Sequence, residues 1–273
     1  MKHLNLSLIF LLLIQISFSQ QYDTVYIETD SIDSNNDIYK TGNVYVFDYE
    51  IIDNGKACKL LRNSGMFAGK NYELVSLETD TLKLDRIHIL VKPVSESNSS
   101  NGHQTEIVYL IGPPYKRMSS TGAVDNNINI WIHPIRDGFF NALETAPFPY
   151  VKRPLTIGEE WNDEMLIGQG WRDEKWGIWE GSLLLSYTYK TIEKVDLKTH
   201  LGTIECYVTE SIASSTIGET KLKSYYSKIY GFVRLEYELL NDLKVNMWLT
   251  DYKTGQSFNS FKEMHKTNSY IKQ

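Results

Sequence analysis

The chain has 273 residues, a net charge of −6 and two cysteines. An acidic balance with no run of Lys or Arg longer than two excludes the basic footprint of a nucleic-acid binder, and an anionic membrane surface is disfavoured for the same reason. Two distant cysteines cannot build a thiolate zinc cluster, while the length suffices for one large β domain or two smaller ones with a real core.

In chain order, the first twenty residues, MKHLNLSLIFLLLIQISFSQ, combine a charged start, an apolar stretch over Leu4–Ile16 and small or polar residues at Ser17 and Ser19. This is the layout of a secretory signal peptide. The apolar stretch is shorter than the roughly 20 residues a membrane helix needs. Cleavage is expected after Ser19 or Gln20. No cysteine follows for lipid attachment, so the mature chain is expected in the periplasm or outside the cell, with no stable membrane span. Residues 21–258 then read as one β-rich domain, with 21–150 and 151–258 as its two halves, and 259–273 as a polar tail.

The mature chain alternates apolar and polar residues with a period of two, the pattern of half-buried strands. VYVFDYEI places Tyr45, Phe47, Tyr49 and Ile51 on one face. RIHILVK groups Ile87, Ile89 and Val91, and INIWIH sets Ile128, Ile130 and Ile132 against Asn129, Trp131 and His133. SLLLSYTYK aligns Leu183, Leu185, Tyr187 and Tyr189. GFVRLEYEL aligns Val233, Leu235, Tyr237 and Leu239, and LKVNMWLT sets Val245, Met247 and Leu249 against Asn246 and Trp248. One apolar and one polar face per strand fits antiparallel sheets with a wet side. Asn54-Gly55, Asn101-Gly102, Leu201-Gly202, Tyr230-Gly231 and Thr254-Gly255 place glycines where turns need them. The polar run Val94–His103 reads as a flexible hairpin tip. A single helix is expected, over Arg136–Ala146, capped by Asp137, stopped by Pro147 and packed on the sheet through Phe139, Phe140 and Leu143. The fold class is therefore mainly β: one large antiparallel, curved sheet or half-barrel with a short helix packed on it.

Catalytic signatures are missing. There is no nucleophile elbow, no zinc-protease helix and no phosphate-cradling glycine loop. His88, His103, His133, His200 and His265 include no pair three to five residues apart, so no local metal pair exists, and neither a cofactor nor a metal site is expected. His133 reads as a strand-end histidine first and a ligand second. Export permits a Cys58–Cys206 disulfide. The other reading of Cys206 is a buried thiol on the face of Ile204 and Val208.

The segment Ile157–Gly181 holds four of the six tryptophans: Trp161, Trp171, Trp176 and Trp179. Together with Trp131 they are the candidate ligand-binding residues. They admit three readings: packing in a sheet corner, lining of an apolar ligand cavity, or a sugar-stacking surface of Trp171, Trp176 and Trp179 on a flexible, glycine-rich loop. The neighbouring acids, Glu160 and Glu174 among them, raise a glycoside-cleaving alternative, which needs two carboxyls about 5–10 Å apart.

Several stretches carry a resemblance: LETAPFPYVKRPLTIGEEW, the Trp/Gly run closing in WEG, LLSYTYK, LGTIECYVTES and SYYSKIYGFVRLEYEL. Over Glu144–Tyr252 they resemble uncharacterised secreted proteins of the Bacteroidetes type, and the later part is similar to TapB-like envelope proteins. More distantly, it resembles the outer-membrane lipoprotein carriers, whose half-barrels hold acyl chains. The resemblance supplies no catalytic residues. The leading expectation is thus an exported, non-enzymatic protein that binds a hydrophobic envelope ligand such as an acyl chain. A carbohydrate-binding or envelope-polysaccharide factor using Trp161–Trp179 is the first alternative, and a structural subunit of an envelope or secretion complex the second.

Overall fold

The computed structural model describes residues 25–28, 30–61, 72–92, 103–111 and 116–255. The expected signal peptide (1–20), the tip of the Val94–His103 hairpin with Asn101-Gly102, and the polar tail (259–273) lie outside the described residues.

The first half contributes β1 (Val44–Asp53), β2 (Lys56–Leu60), β3 (Leu74–Ser76), β4 (Arg86–Lys92), β5 (Thr105–Ile111), β6 (Lys116–Asp125), β7 (Asn129–Ile132), a 3-10 segment η1 (Gly138–Thr145) and β8 (Tyr150–Lys152). The second half contributes β9 (Glu160–Gly168), a 3-10 turn η2 (Gln169–Trp171), β10 (Ser182–Thr199), β11 (Gly202–Ser215), β12 (Gly218–Ser227), β13 (Gly231–Glu238) and β14 (Lys244–Lys253). All 14 strands join one sheet, in the order β8-β7-β6-β5-β4-β1-β14-β13-β12-β11-β10-β9, with β2 and β3 hanging from β1. Every ladder is antiparallel.

The alternation seen in the sequence sets the inner face. Phe47, Tyr49 and Ile51 of β1 lie opposite Leu249, Met247 and Val245 of β14. Met247 and Val245 in turn face Leu235 and Tyr237 of β13. All are buried in one core. Outward, the same strands carry Asn246, Arg234, Glu236 and Lys244, with Lys244 bridged to Glu238 and Asn246 bonded to Glu50. The expectation of one wet face thus holds for β13 and β14. It does not hold for β4, where His88 and Leu90 are as buried as Ile87 and Ile89.

Two turns show why glycine is needed. Asn54 and Gly55 both have positive φ (49° and 77°), as a two-residue hairpin between β1 and β2 requires. Gly231 has φ 72°, and a Cβ there would sit 2.7 Å from the Tyr39 hydroxyl. Any side chain would be strained and would push into the core.

The expected helix is corrected in type. Gly138–Thr145 forms 3-10 turns rather than α-helix, and Asp137 makes no capping bond through its side chain. Gly138 has φ 55°, outside the helical region, so a regular helix cannot begin at that residue. Phe139, Phe140 and Leu143 are buried as expected, but Ala142 and Glu144 are buried too. η1 is therefore a plug enclosed by the sheet. Phe140 packs edge-on against Tyr49 of β1 at 5.4 Å, and the Thr145 carbonyl accepts a 2.6 Å bond from the Thr220 hydroxyl of β12.

The sheet curls until its ends approach each other. Tyr150 of β8 packs against Trp161 of β9 at 5.5 Å and Tyr189 of β10 at 5.4 Å. Among the described residues no ladder joins β8 to β9, so side chains rather than backbone bonds make this seam. Among the described residues, no helix is long and apolar enough to cross a membrane.

Candidate functional site

Four of the five candidate tryptophans meet at the seam. Trp161 and Trp179 are buried in a cluster with Tyr150, Leu183, Leu185, Tyr187 and Tyr189. Trp131 and Trp171 pack against it and keep part of their surface. Trp161 lies flat on Tyr189, with centroids 5.3 Å apart and planes 1° from parallel. Trp176 departs from the group. It sits in the main core against Tyr72 and Phe139, each at 6.0 Å, and donates its indole N–H to the Trp171 carbonyl.

This arrangement removes the three-tryptophan stacking surface. Trp176 and Trp179 are buried, so neither offers a face to a sugar ring. The loop that carries them is a tied turn rather than a flexible one. Asp173 accepts bonds from the Trp176 and Gly177 amides, Lys175 bridges to Asp53 at 2.7 Å, and Arg172 donates to the Trp179 carbonyl. Leu240 and Ile217 press on Gly177, where a Cβ would come within 2.9 Å of Ile217.

A charged group lies beside the seam. Glu144 is fully buried, and Arg136 grips both its oxygens, at 2.8 and 3.4 Å. His133 sits 3.5 Å from the same carboxylate through Nε2. Its Nδ1 lies 2.9 Å from the Pro134 carbonyl, which places the proton on Nδ1. Phe148 and Trp131 cover the ring at 4.5 and 5.7 Å, and burial pushes the His133 pKa down to about 3. The imidazole is therefore neutral at ordinary pH. Burial pushes the Glu144 carboxyl up, and Arg136 opposes that shift. Arg136 also lies 5.3 Å over the Trp171 ring. With both carboxylate oxygens held by Arg136, this group locks η1 to the chain leaving β7.

Other candidates are dispersed. Glu160 is exposed on β9 and bridged to Lys190 at 2.7 Å, and Glu174 is exposed in the tied turn. Both thiols are free and buried, so the structure contains no Cys58–Cys206 bridge. Cys58 lies on β2, which hangs from β1, and Cys206 lies on β11, four ladders from β1 along the sheet. A disulfide needs Cα atoms within about 7 Å. Among the described residues no group of three or more metal-ligating side chains gathers.

Two further features bear on ligand binding. Among the described residues, the space inside the curled sheet bordered by Phe47, Tyr109, Leu143, Leu235 and Met247 amounts to about 10 Å³, room for about one water. A second, open cleft of about 460 Å³ lies where the far half of β10 meets β13 and β14, lined by Leu197, Lys198, Val233, Arg234, Trp248 and Leu249. That volume is ordinary for a small-molecule site. Arg234 and Trp248 are direct cross-strand partners. The sequence signal for this cleft was a tryptophan on the polar face of LKVNMWLT, one position out of step with Met247 and Leu249. What sequence could not show is that β10, some fifty residues earlier, arrives beside it.

No protein-family model matches the chain, and no curated protein matches it. Solved structures give partial likenesses. A Bacteroides fragilis protein described as exported, with a YmcC-like fold, aligns with a TM-score of 0.44 and 12% identity, over 82% of this chain and 100% of its own. A Parabacteroides distasonis protein described as a lipoprotein gives 0.43 and 13%, over 79% and 97%. An Escherichia coli protein described as the hypothetical lipoprotein YmcC gives 0.32 and 12%, over 76% and 84%.

Proposed function

We propose that the chain is an exported, non-enzymatic protein that binds an apolar envelope component such as an acyl chain, and that the open cleft holds it. The carrying observation is the cleft itself, about 460 Å³ bordered by Leu197, Val233, Trp248 and Leu249. Export rests on the composition of residues 1–20. An acyl chain inside the curled sheet would have to displace η1, whose Phe139, Phe140 and Leu143 are buried there, which favours the open cleft. The test is displacement of an environment-sensitive dye by palmitate. Trp248→Ala is expected to weaken binding about tenfold, the size of effect that loss of an aromatic wall produces. Equal binding by that variant, or no binding of any apolar probe, overturns the assignment.

A structural-subunit reading has one observation in its favour. Leu166 of β9 and Leu184 of β10 are direct partners, 66% and 48% exposed. Exposed apolar pairs of this kind mark contact surfaces when they extend into a patch. Leu166→Lys would then shift the protein toward monomer in light scattering. A monomer at all concentrations removes the self-association version of this reading.

A further inference from the structure

We infer that the cleft at β10, β13 and β14 selects amphiphiles with an anionic head, a carboxylate or a phosphate, over neutral ones of the same chain length. This rests on the cleft being the ligand site and names the chemistry of its ligand.

The chain carries 34 acidic and 28 basic residues. Yet the charged residues bordering the cleft are Lys198 and Arg234, and no Asp or Glu borders it. Glu236 balances the Arg234 charge, so Lys198 gives the cleft border its unpaired positive charge and Arg234 adds spare donors. Arg234 is also prepared for its task. Its guanidinium is bonded to Glu236 at 2.6 Å and lies 5.7 Å over the Tyr225 ring. These contacts hold the planar fork in place, and one carboxylate uses only part of a five-donor group. Lys198 is exposed and makes no ion pair among the described residues. Its ammonium is free to turn toward a bound anion.

The acid paired with Trp248 across the sheet is already engaged. Asp48 lies opposite Trp248, and Lys59 holds it at 2.6 Å. Trp248 itself completes the arrangement, since an indole suits the boundary between an apolar tail and a wet head. Leu197, with the edges of the buried Val233 and Leu249, supplies the apolar border. A single-chain anionic amphiphile satisfies both halves of the site. A neutral one leaves Lys198 near its head without a partner and the spare Arg234 donors unused.

The experiment compares four sixteen-carbon probes below their micelle concentrations: palmitate, lysophosphatidate, lysophosphatidylcholine and monopalmitin. Dissociation constants come from dye displacement at 20 and 300 mM salt. The expected result is at least tenfold tighter binding of palmitate, lysophosphatidate or both than of the two uncharged-overall probes at low salt. Salt should shrink that ratio, since it screens exposed charges. Palmitate against lysophosphatidate tells a carboxylate from a phosphate source. The double variant Lys198→Gln/Arg234→Gln should lose the ratio. If that variant does not fold, the salt dependence of the unaltered protein decides. Equal affinities at equal chain length overturn the anion preference and leave the cleft standing. Binding of none of the four overturns the cleft as an acyl site, and the preference with it.

Discussion

Tyr237 is buried, and its hydroxyl makes no hydrogen bond among the described residues. An unpaired buried polar group costs about 1–3 kcal/mol, while the ring still fills the core. Tyr237→Phe should therefore raise stability by about 1 kcal/mol, which moves the melting temperature of a chain this size up by about 2–4 °C. A lower melting temperature in calorimetry would show that the hydroxyl has a partner. Asp137 gives a pH-dependent counterpart. Burial raises its pKa to about 6, against about 3.9 in an unfolded chain. The folded state therefore resists ionisation, and the penalty is present above pH 6 and gone below about pH 4. Asp137→Asn should stabilise the protein by up to about 2 kcal/mol at pH 7.5, with the gain vanishing at pH 4 in denaturant titrations. Neither effect is legible in sequence. Alternation says that Tyr237 points inward, but whether an acceptor waits there depends on strands that sequence does not align.

At the scale of elements, the seam is the weak joint. β8 has three residues, bonded to β7 on one side and held to β9 through the rings of Tyr150, Trp161 and Tyr189. Tyr150→Ala should cost about 3–5 kcal/mol and speed amide exchange in β8 and β9 before it reaches β13 and β14. Uniform acceleration across the sheet would mean that the seam does not open separately. The elements that sequence revealed best are those with one dry and one wet face: β13 and β14 read correctly because Arg234, Glu236, Asn246 and Lys244 mark the outside. In β4, His88 and Leu90 are buried opposite Ile87 and Ile89, so alternation loses its contrast. The sequence locates η1 but points to the wrong helix type. Its apolar spacing suits a helix, while the left-handed backbone at Gly138 breaks one. The gathering of Trp131 with Trp161, Trp171 and Trp179 was invisible, because it depends on the curl that brings β7 and β8 to β9. Trp176 shows the converse: closeness in sequence did not put it in the same cluster.

For the molecule as a whole, the free thiols make a direct forecast. Dithiothreitol should leave the melting temperature unchanged, because no cross-link constrains the unfolded chain. Burial pushes the Cys206 pKa up to about 12, so alkylation of Cys206 should need denaturant. A midpoint that falls on reduction would reveal a bridge after all. The overall class, one large curved antiparallel sheet, was legible from turns and alternation. The packed interior was not, since filling a half-barrel is a matter of volume and alternation reports only direction.

The strand order has one more consequence. From β4 to β8 and from β9 to β14, each strand lies beside its neighbour in sequence, so most of the sheet can be laid down as the chain emerges. β1 is the exception, because one of its edges is reserved for β14, roughly two hundred residues later. A growing chain that has not reached Lys244 leaves the Val44–Ile52 edge with no mate. Such an edge invites pairing with the wrong chain. β14 is the strand that covers this edge.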